Sequence, residues 1–278
     1  MIATHVKQVQ KSKQRFHPTR WLTRMAVALL ASAFLLFLGI PLAALLLREP
    51  PALLWRALQQ PDVLQALQLS IMTTCVSTLL AMLFGIPVAY VLARTHFPGR
   101  RLLEILVGMP TVLPPVVAGV ALLIAFGRFG LIGRYLTPLG ITLPFTTVAV
   151  VLAQLFVASP FLVNSVKAGL EQLDQRYELA AYTLHASPFY TFWRVVLPLI
   201  RPALLTGIGM TWTRALGEFG ATIMFAGNFP GITQTLPISI YTASQSDLDS
   251  AVAVSVLLVA ISFGILLTLR LGRDKIAL

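Results

Sequence analysis

Arg214 and Glu218 stand four residues apart inside an otherwise uncharged apolar stretch. On a helix that spacing places them on one face, where guanidinium and carboxylate neutralise each other. A charge held in hydrocarbon either fixes helix packing as an internal ion pair or marks a pathway; both readings are open. Small residues surround the pair. Gly207, Thr211 and Ala215 recur every four residues, as do Thr213, Gly217 and Ala221, with Gly220 and Thr222 close by. Such spacing lets helices approach closely, within one chain or across a dimer. Thr211, Thr213 and Thr222 could equally line a polar path. Enzymatic chemistry has little to work with. His5, His17, His96 and His185 are scattered without metal-ligand spacing, and Cys75 is the single cysteine. There is no Gly-x-Ser-x-Gly element and no dinucleotide fingerprint. We expect no catalytic residues and no metal.

The elements that must position the pair follow from composition. Of 278 residues 57% are apolar and 11% charged, where a soluble domain carries about 25% charge. A membrane-spanning helix needs roughly 20 apolar residues. Six stretches qualify, approximately Met25–Leu47, Leu67–Ala93, Ile105–Phe126, Pro144–Val166, Ala203–Phe225 and Ala251–Leu269. Arg214 and Glu218 are the only charges inside them. Six spans put 16 of the 21 basic residues on one side and four on the other. Basic residues stay in the cytoplasm, so both termini are expected there. The net charge of +11 thereby becomes an orientation signal, not a nucleic-acid face. The basic tail also suits anionic membrane lipid. The apolar run after it exceeds a signal peptide's 7–15 residues, so a retained anchor is expected. Pro41, Pro87, Pro110, Pro114, Pro115 and Pro160 predict an irregular, kinked bundle.

The connection from Lys167 to Pro202 is the longest on the expected inner side, and it reads as structured. Asp174 suits the N-cap of a helix reaching about Leu184, with Leu173, Tyr177, Ala181 and Leu184 at helical spacing on one side. Ser187-Pro188 is a strong start signal for a second helix. That helix would set Phe189, Phe192, Trp193 and Val196 on one face and end before Pro198. Large apolar groups on such a loop either pack on the chain's own helices or await a partner.

The run Glu178-Leu179-Ala180-Ala181, three residues, His185, nine residues, then Val195-Val196-Leu197-Pro198 resembles the EAA loop of ABC-importer permeases. Two departures stand out. Glu178 comes one residue early, as in the oxyanion branch, and His185 replaces the turn glycine. Histidine is among the few residues enriched at positive φ, so the turn is expected to survive. A second resemblance lies in Arg214-Ala215-Leu216-Gly217-Glu218-Phe219-Gly220-Ala221-Thr222. This stretch is similar to the signature of molybdate and sulfate permeases. Its continuation through Phe225-Ala226-Gly227-Asn228-Phe229-Pro230-Gly231, Thr233-Gln234-Thr235-Leu236-Pro237 and Ile240-Tyr241 looks most like the molybdate/tungstate members.

The resemblance covers roughly Ala66 to Arg270. It implies an all-α integral membrane protein with the type I, methionine-permease-like importer fold. The chain then divides into a basic tail (1–24), a first helix with its external connection (25–65), a permease core (66–270, coupling loop 167–202) and a short tail (271–278). The family implies a homodimer, two ATP-binding cassette subunits carrying ATP and Mg, an external molybdate-binding protein, and a place in the bacterial inner membrane. ATPase coupling is implied for Glu178, Ala180, Ala181, His185, Phe189, Phe192, Trp193, Leu197 and Pro198. No Gly-Lys dipeptide occurs, so no phosphate loop is available and ATP hydrolysis is expected on another chain. The competing expectations are a sulfate/thiosulfate permease of the same fold and an ion-coupled secondary transporter, for which Glu218 would be the sole titratable group inside a span.

Overall fold

The computed structural model describes residues 18–48, 55–56 and 58–274. The predicted basic tail through residue 17 and the end from residue 275 lie outside them. Among the described residues there are helices and no strands. Helix α1 (Pro18–Arg48) forms a unit by itself, with exposed leucine, valine and phenylalanine along its length.

Helix α2 (Pro61–Arg94) is inverted relative to a soluble helix. It buries Ser70, Thr73, Thr74, Ser77 and Thr78 and exposes Ile71, Met72, Val76, Leu79, Leu83 and Phe84. An apolar outside is stable only against hydrocarbon, and the inner hydroxyls then find partners within the protein. Thr73 Oγ1 donates to the Leu69 carbonyl at 2.8 Å, and Ser77 Oγ lies 2.7 Å from the Thr73 carbonyl and 3.0 Å from Gln154 Oε1.

Four helices are long and apolar enough to cross a membrane: α1, α2, α5 (Thr147–Gln172) and α11 (Leu248–Asp274). Two bent pairs would raise the number to six if each formed one span: α3 (Arg100–Val112) with α4 (Pro115–Phe126), and α7 (Pro188–Leu199) with α8 (Arg201–Leu216). Of the six predicted stretches, the first, second, fourth and sixth lie in long helices, whereas the third and fifth are interrupted. The third breaks by 118°. Leu113 precedes a proline and is extended, at ψ 134°, and Pro114 follows at ψ 134°, because the proline ring disfavours the helical region for its predecessor. The fifth ends at Leu216 and restarts as α9 (Gly220–Ala226). By contrast, Pro87, Pro110 and Pro160 lie inside helices that run on through them.

Helix α5 is the centre of the bundle. With α2, the loop end and α8 it encloses Ala89, Leu92, Leu162, Val166, Leu170, Val196 and Ile200. With α4 and α9 it encloses Ala118, Leu122, Val150, Ala153, Ala221 and Phe225. Helix α10 (Leu236–Ser244) packs Leu236 against Val63 and Ala66 of α2 and Val254 of α11. The small-residue stripe expected to join helices does so within the chain. A Cβ on Gly207 would lie 3.0 Å from the Ser165 Cβ, and Ser165 Oγ donates to the Ala203 carbonyl at 2.7 Å.

Helices α4 and α9 approach closely at Gly119, where a Cβ would stand 2.7 Å from both the Ala221 carbonyl oxygen and the Met224 Cβ. Gly119→Ala must therefore push α4 off α9. Overpacking of this kind costs about 1–3 kcal/mol, so we expect a lower melting temperature in detergent. An unchanged melting temperature would refute this packing.

Candidate functional site

The loop of residues 167–202 has the two short helices that its sequence encodes. Helix α6 (Arg176–Thr183) ends in a left-handed turn at His185, φ 60°. The Ala186 N–H bonds the Ala181 carbonyl at 3.1 Å and the His185 N–H bonds the Tyr182 carbonyl at 3.0 Å. This paired closure is the usual helix stop with glycine, here made by histidine. Ser187 then caps α7, its hydroxyl accepting from the Tyr190 N–H at 3.2 Å. Asp174 caps α6 from one residue further out than expected, accepting from the Arg176 N–H at 2.9 Å. Helix α7 does not stop before Pro198. A π turn over Phe192–Val196 carries it through to Leu199.

Two expected faces are divided differently. Tyr177 and Leu184 are exposed, whereas Glu178 and Ala181 are buried, with Ala180 exposed between them. On α7, Phe192 and Val196 turn inward, and Phe192 meets the Tyr90 ring edge-on at 5.6 Å. Phe189, 75% exposed, and Trp193 turn outward with their rings 6.1 Å apart, beside exposed Tyr190. The π turn adds a residue between successive hydrogen bonds, and the Phe192 and Trp193 rings meet edge-on at 5.8 Å. Leu197 is half-buried and Pro198 exposed.

Glu178 is the main surprise of the loop. Its Oε1 lies 2.7 Å from Arg94 Nη2, both side chains being 9% exposed, and its Oε2 accepts from the Tyr90 hydroxyl at 3.3 Å. Arg94 also donates to the Leu173 carbonyl at 3.3 Å. Glu178 is thus an anchor to the last turn of α2, not a surface group. Arg94 and Tyr90 were missed because they lie more than 80 residues upstream, and Arg94 reads in the sequence as one more orientation charge. Below the anchor, Lys167 Nζ bonds Glu104 at 2.8 Å, and Arg100 bonds Glu104 at 3.1 Å and Glu171 at 3.4 Å. One end of α2, α3, α5 and the loop is thereby tied together by charge.

Arg214 and Glu218 meet as expected, Nη1 to Oε2 at 2.6 Å, but not on a continuous helix face. Helix α8 has ended at Leu216, and Glu218 lies in the gap before α9. Its Oε1 accepts from the Ala221 N–H at 2.8 Å. Glu218 is 1% exposed and Arg214 29%. The pair therefore closes a helix break, satisfying a backbone donor that the break sets free. Gly217 is exposed at that break. Gly220 is buried where a Cβ would meet the Pro115 Cβ at 2.8 Å, so it serves packing. Thr211 and Thr222 are fully buried, and with half-buried Thr213 their hydroxyls have no hydrogen-bond partner among the described residues. Among those residues no group of three His, Cys, Asp or Glu is placed to hold a metal.

A broken-helix bundle with a capped, anchored two-helix loop defines the permease subunit of an ABC importer. The chain belongs to the family described as binding-protein-dependent transport system inner membrane component, whose pattern matches residues 81–271. It is 46% identical over 246 residues to the molybdenum transport system permease protein ModB of Mycobacterium tuberculosis, covering 88% of this chain and 93% of that one. A probable molybdenum ABC transporter permease of Haloferax volcanii is 40% identical, over 95% of this chain and 96% of its own. The sulfate transport system permease CysT of Escherichia coli is 35% identical, over 86% and 88%. The fold matches a bacterial alginate ABC transporter complexed with its periplasmic protein (TM-score 0.70, 14% identity, 91% of this chain and 93% of that one). It also matches the inward-facing MetNI methionine transporter (0.61, 19%, 77% and 95%). The chain is a transport subunit of the inner membrane, not an enzyme.

Removing one partner of a buried ion pair costs about 3–5 kcal/mol, because the other charge is left uncompensated. Arg94→Ala is expected to loosen the loop, raising amide exchange across residues 174–185 by at least tenfold. The double variant with Glu178→Ala is expected to exchange less than the single one. Equal exchange in the two would contradict the anchoring role of the pair.

Proposed function

We propose that this chain forms the translocation path of an ATP-driven importer for a tetrahedral oxyanion, with molybdate or tungstate as the preferred cargo. Two copies form the path, and both termini lie in the cytoplasm. Each loop of residues 167–202 docks on one ATP-binding cassette subunit, which holds ATP and Mg. An external binding protein delivers the anion.

The observation that carries the docking role is the exposed aromatic group Phe189, Tyr190 and Trp193 on a loop whose other face is fixed to α2. Aromatic anchors on a rigid support are what a groove in a partner binds most strongly. Glu178, Ala181, Phe192 and His185 give the loop its shape, and Phe189 and Trp193 supply contact. The choice of molybdate rests on the greater similarity to the molybdenum permeases. Sulfate is the second reading, favoured by the 35% identity to CysT. An ion-coupled carrier is disfavoured, because Glu218 is tied to Arg214 and to a backbone N–H.

Replacing Phe189 or Trp193 by Asp is expected to weaken ATPase binding by at least about 2 kcal/mol, roughly 30-fold, while the variant still inserts in the membrane. Unchanged copurification with the ATPase would reject the docking role. Uptake of labelled molybdate into vesicles is expected to require ATP, the ATPase and the binding protein, and to resist excess sulfate. Uptake driven by an ion gradient without the ATPase would overturn the proposal, and efficient competition by sulfate would reverse the cargo choice.

A further inference from the structure

Most side chains that the spanning helices expose are apolar, with Thr111 of α3 and Asn164 of α5 among the exceptions. Beyond Ser70, α2 shows Ile71, Met72, Val76, Leu79, Leu83 and Phe84 to its surroundings; α4 shows Val116, Val117 and Ile124; α11 shows Phe263 and Leu266. Helix α8 instead exposes Thr206, Met210 and Gly217, with Arg214 half-open between them. These four recur at helical spacing, so they form one stripe.

The stripe lies within the span. Gly169 faces Ala203 and Gly207 faces Ser165, so α8 runs antiparallel to α5. Arg214 stands seven residues past Gly207, about 10 Å further along the axis, well inside the length of α5. A half-exposed guanidinium at that depth is expensive against lipid; it needs a water-filled space or a protein face.

The guanidinium is also only partly used. Nη1 binds Glu218 Oε2, while Nε and Nη2 have no partner among the described residues. Glu218 is fixed on its other side by the Ala221 N–H and is itself shut away, 1% exposed. The carboxylate therefore holds the arginine in place but presents no charge to the open side, where only the guanidinium edge is offered. Planar N–H pairs of this kind match the oxygens of an oxyanion.

We propose that Arg214 is a cargo-contacting residue: its free guanidinium edge meets the tetrahedral oxyanion as it passes along the exposed stripe of α8, while Glu218 acts as the positioning residue behind it. Glu218 offsets the arginine's charge, which keeps the contact weak enough for release. This inference rests on the oxyanion reading above and deepens it.

The test separates this role from a purely structural pair. Arg214→Gln is compared with the double variant Arg214→Gln/Glu218→Gln and with Arg214→Lys, each assembled with the ATPase and binding protein in vesicles. Arg214→Gln alone leaves Glu218 buried without its cation, and we expect poor assembly. The double variant is expected to assemble as the unaltered chain does and yet to lose at least tenfold in molybdate uptake. Arg214→Lys is expected to recover part of it. Double-variant uptake equal to that of the unaltered chain would overturn the proposal. If the unaltered complex imports no oxyanion, the functional reading itself fails, which is a separate outcome. In a Cys75→Ser background, Met210→Cys is expected to react with a small charged thiol reagent. Protection of Met210→Cys from the reagent in the assembled complex would assign the stripe to a closed interface and overturn the path role.

Discussion

A carboxylate taken out of water costs several kcal/mol unless a cation and hydrogen bonds accompany it, and two are buried among the described residues. Glu178 takes Arg94 and the Tyr90 hydroxyl; Glu218 takes Arg214 and the Ala221 N–H. Each bond set joins elements that the chain separates. The first ties a surface loop to the end of α2, and the second ties α8 to α9 across a gap. Geometry elsewhere follows from these ties. With Glu178 held inward, the outward groups of the loop include the aromatic side chains Tyr177, Phe189, Tyr190 and Trp193. With Glu218 held inward, the break in the fifth span has one of its freed backbone donors, the Ala221 N–H, paired.

Such breaks are tolerated in a membrane only where backbone groups find partners inside the protein. Pro114 and Pro115 produce one break and Gly217 to Phe219 the other, and the two meet. Gly220 sits on Pro115 and Gly119 sits on Ala221, so α4 and α9 pack as two short helices with almost no side-chain spacing. Small residues here hold half-helices together, and the polar lining of α2 and α5 holds the long ones.

Local chemistry was legible in the sequence where the cause is local. Ser187-Pro188 marks a helix start because cap and ring act within three residues. His185 occupies the left-handed position because few residues do so at low cost. The six apolar stretches are readable from length alone. Three features were not. Arg94 reaches Glu178 across more than 80 residues, and no spacing rule connects them. The π turn at Phe192–Val196 has no marker in the local spacing of apolar residues, which fits an ordinary helix equally well. The break after Leu216 leaves Arg214 and Glu218 four apart as a helix would, so the sequence pattern of an intact helix and of a capped gap is the same.

In the proposed docking, the loop of residues 167–202 is carried by α2 and presents aromatic groups, not its glutamate, to an ATPase. A structure of the assembled transporter at side-chain resolution tests this most directly. Phe189 and Trp193 are expected to be buried in a groove of the ATPase, with Glu178 still bonded to Arg94. Glu178 turned outward onto the ATPase, with Arg94 released to solvent, would contradict it.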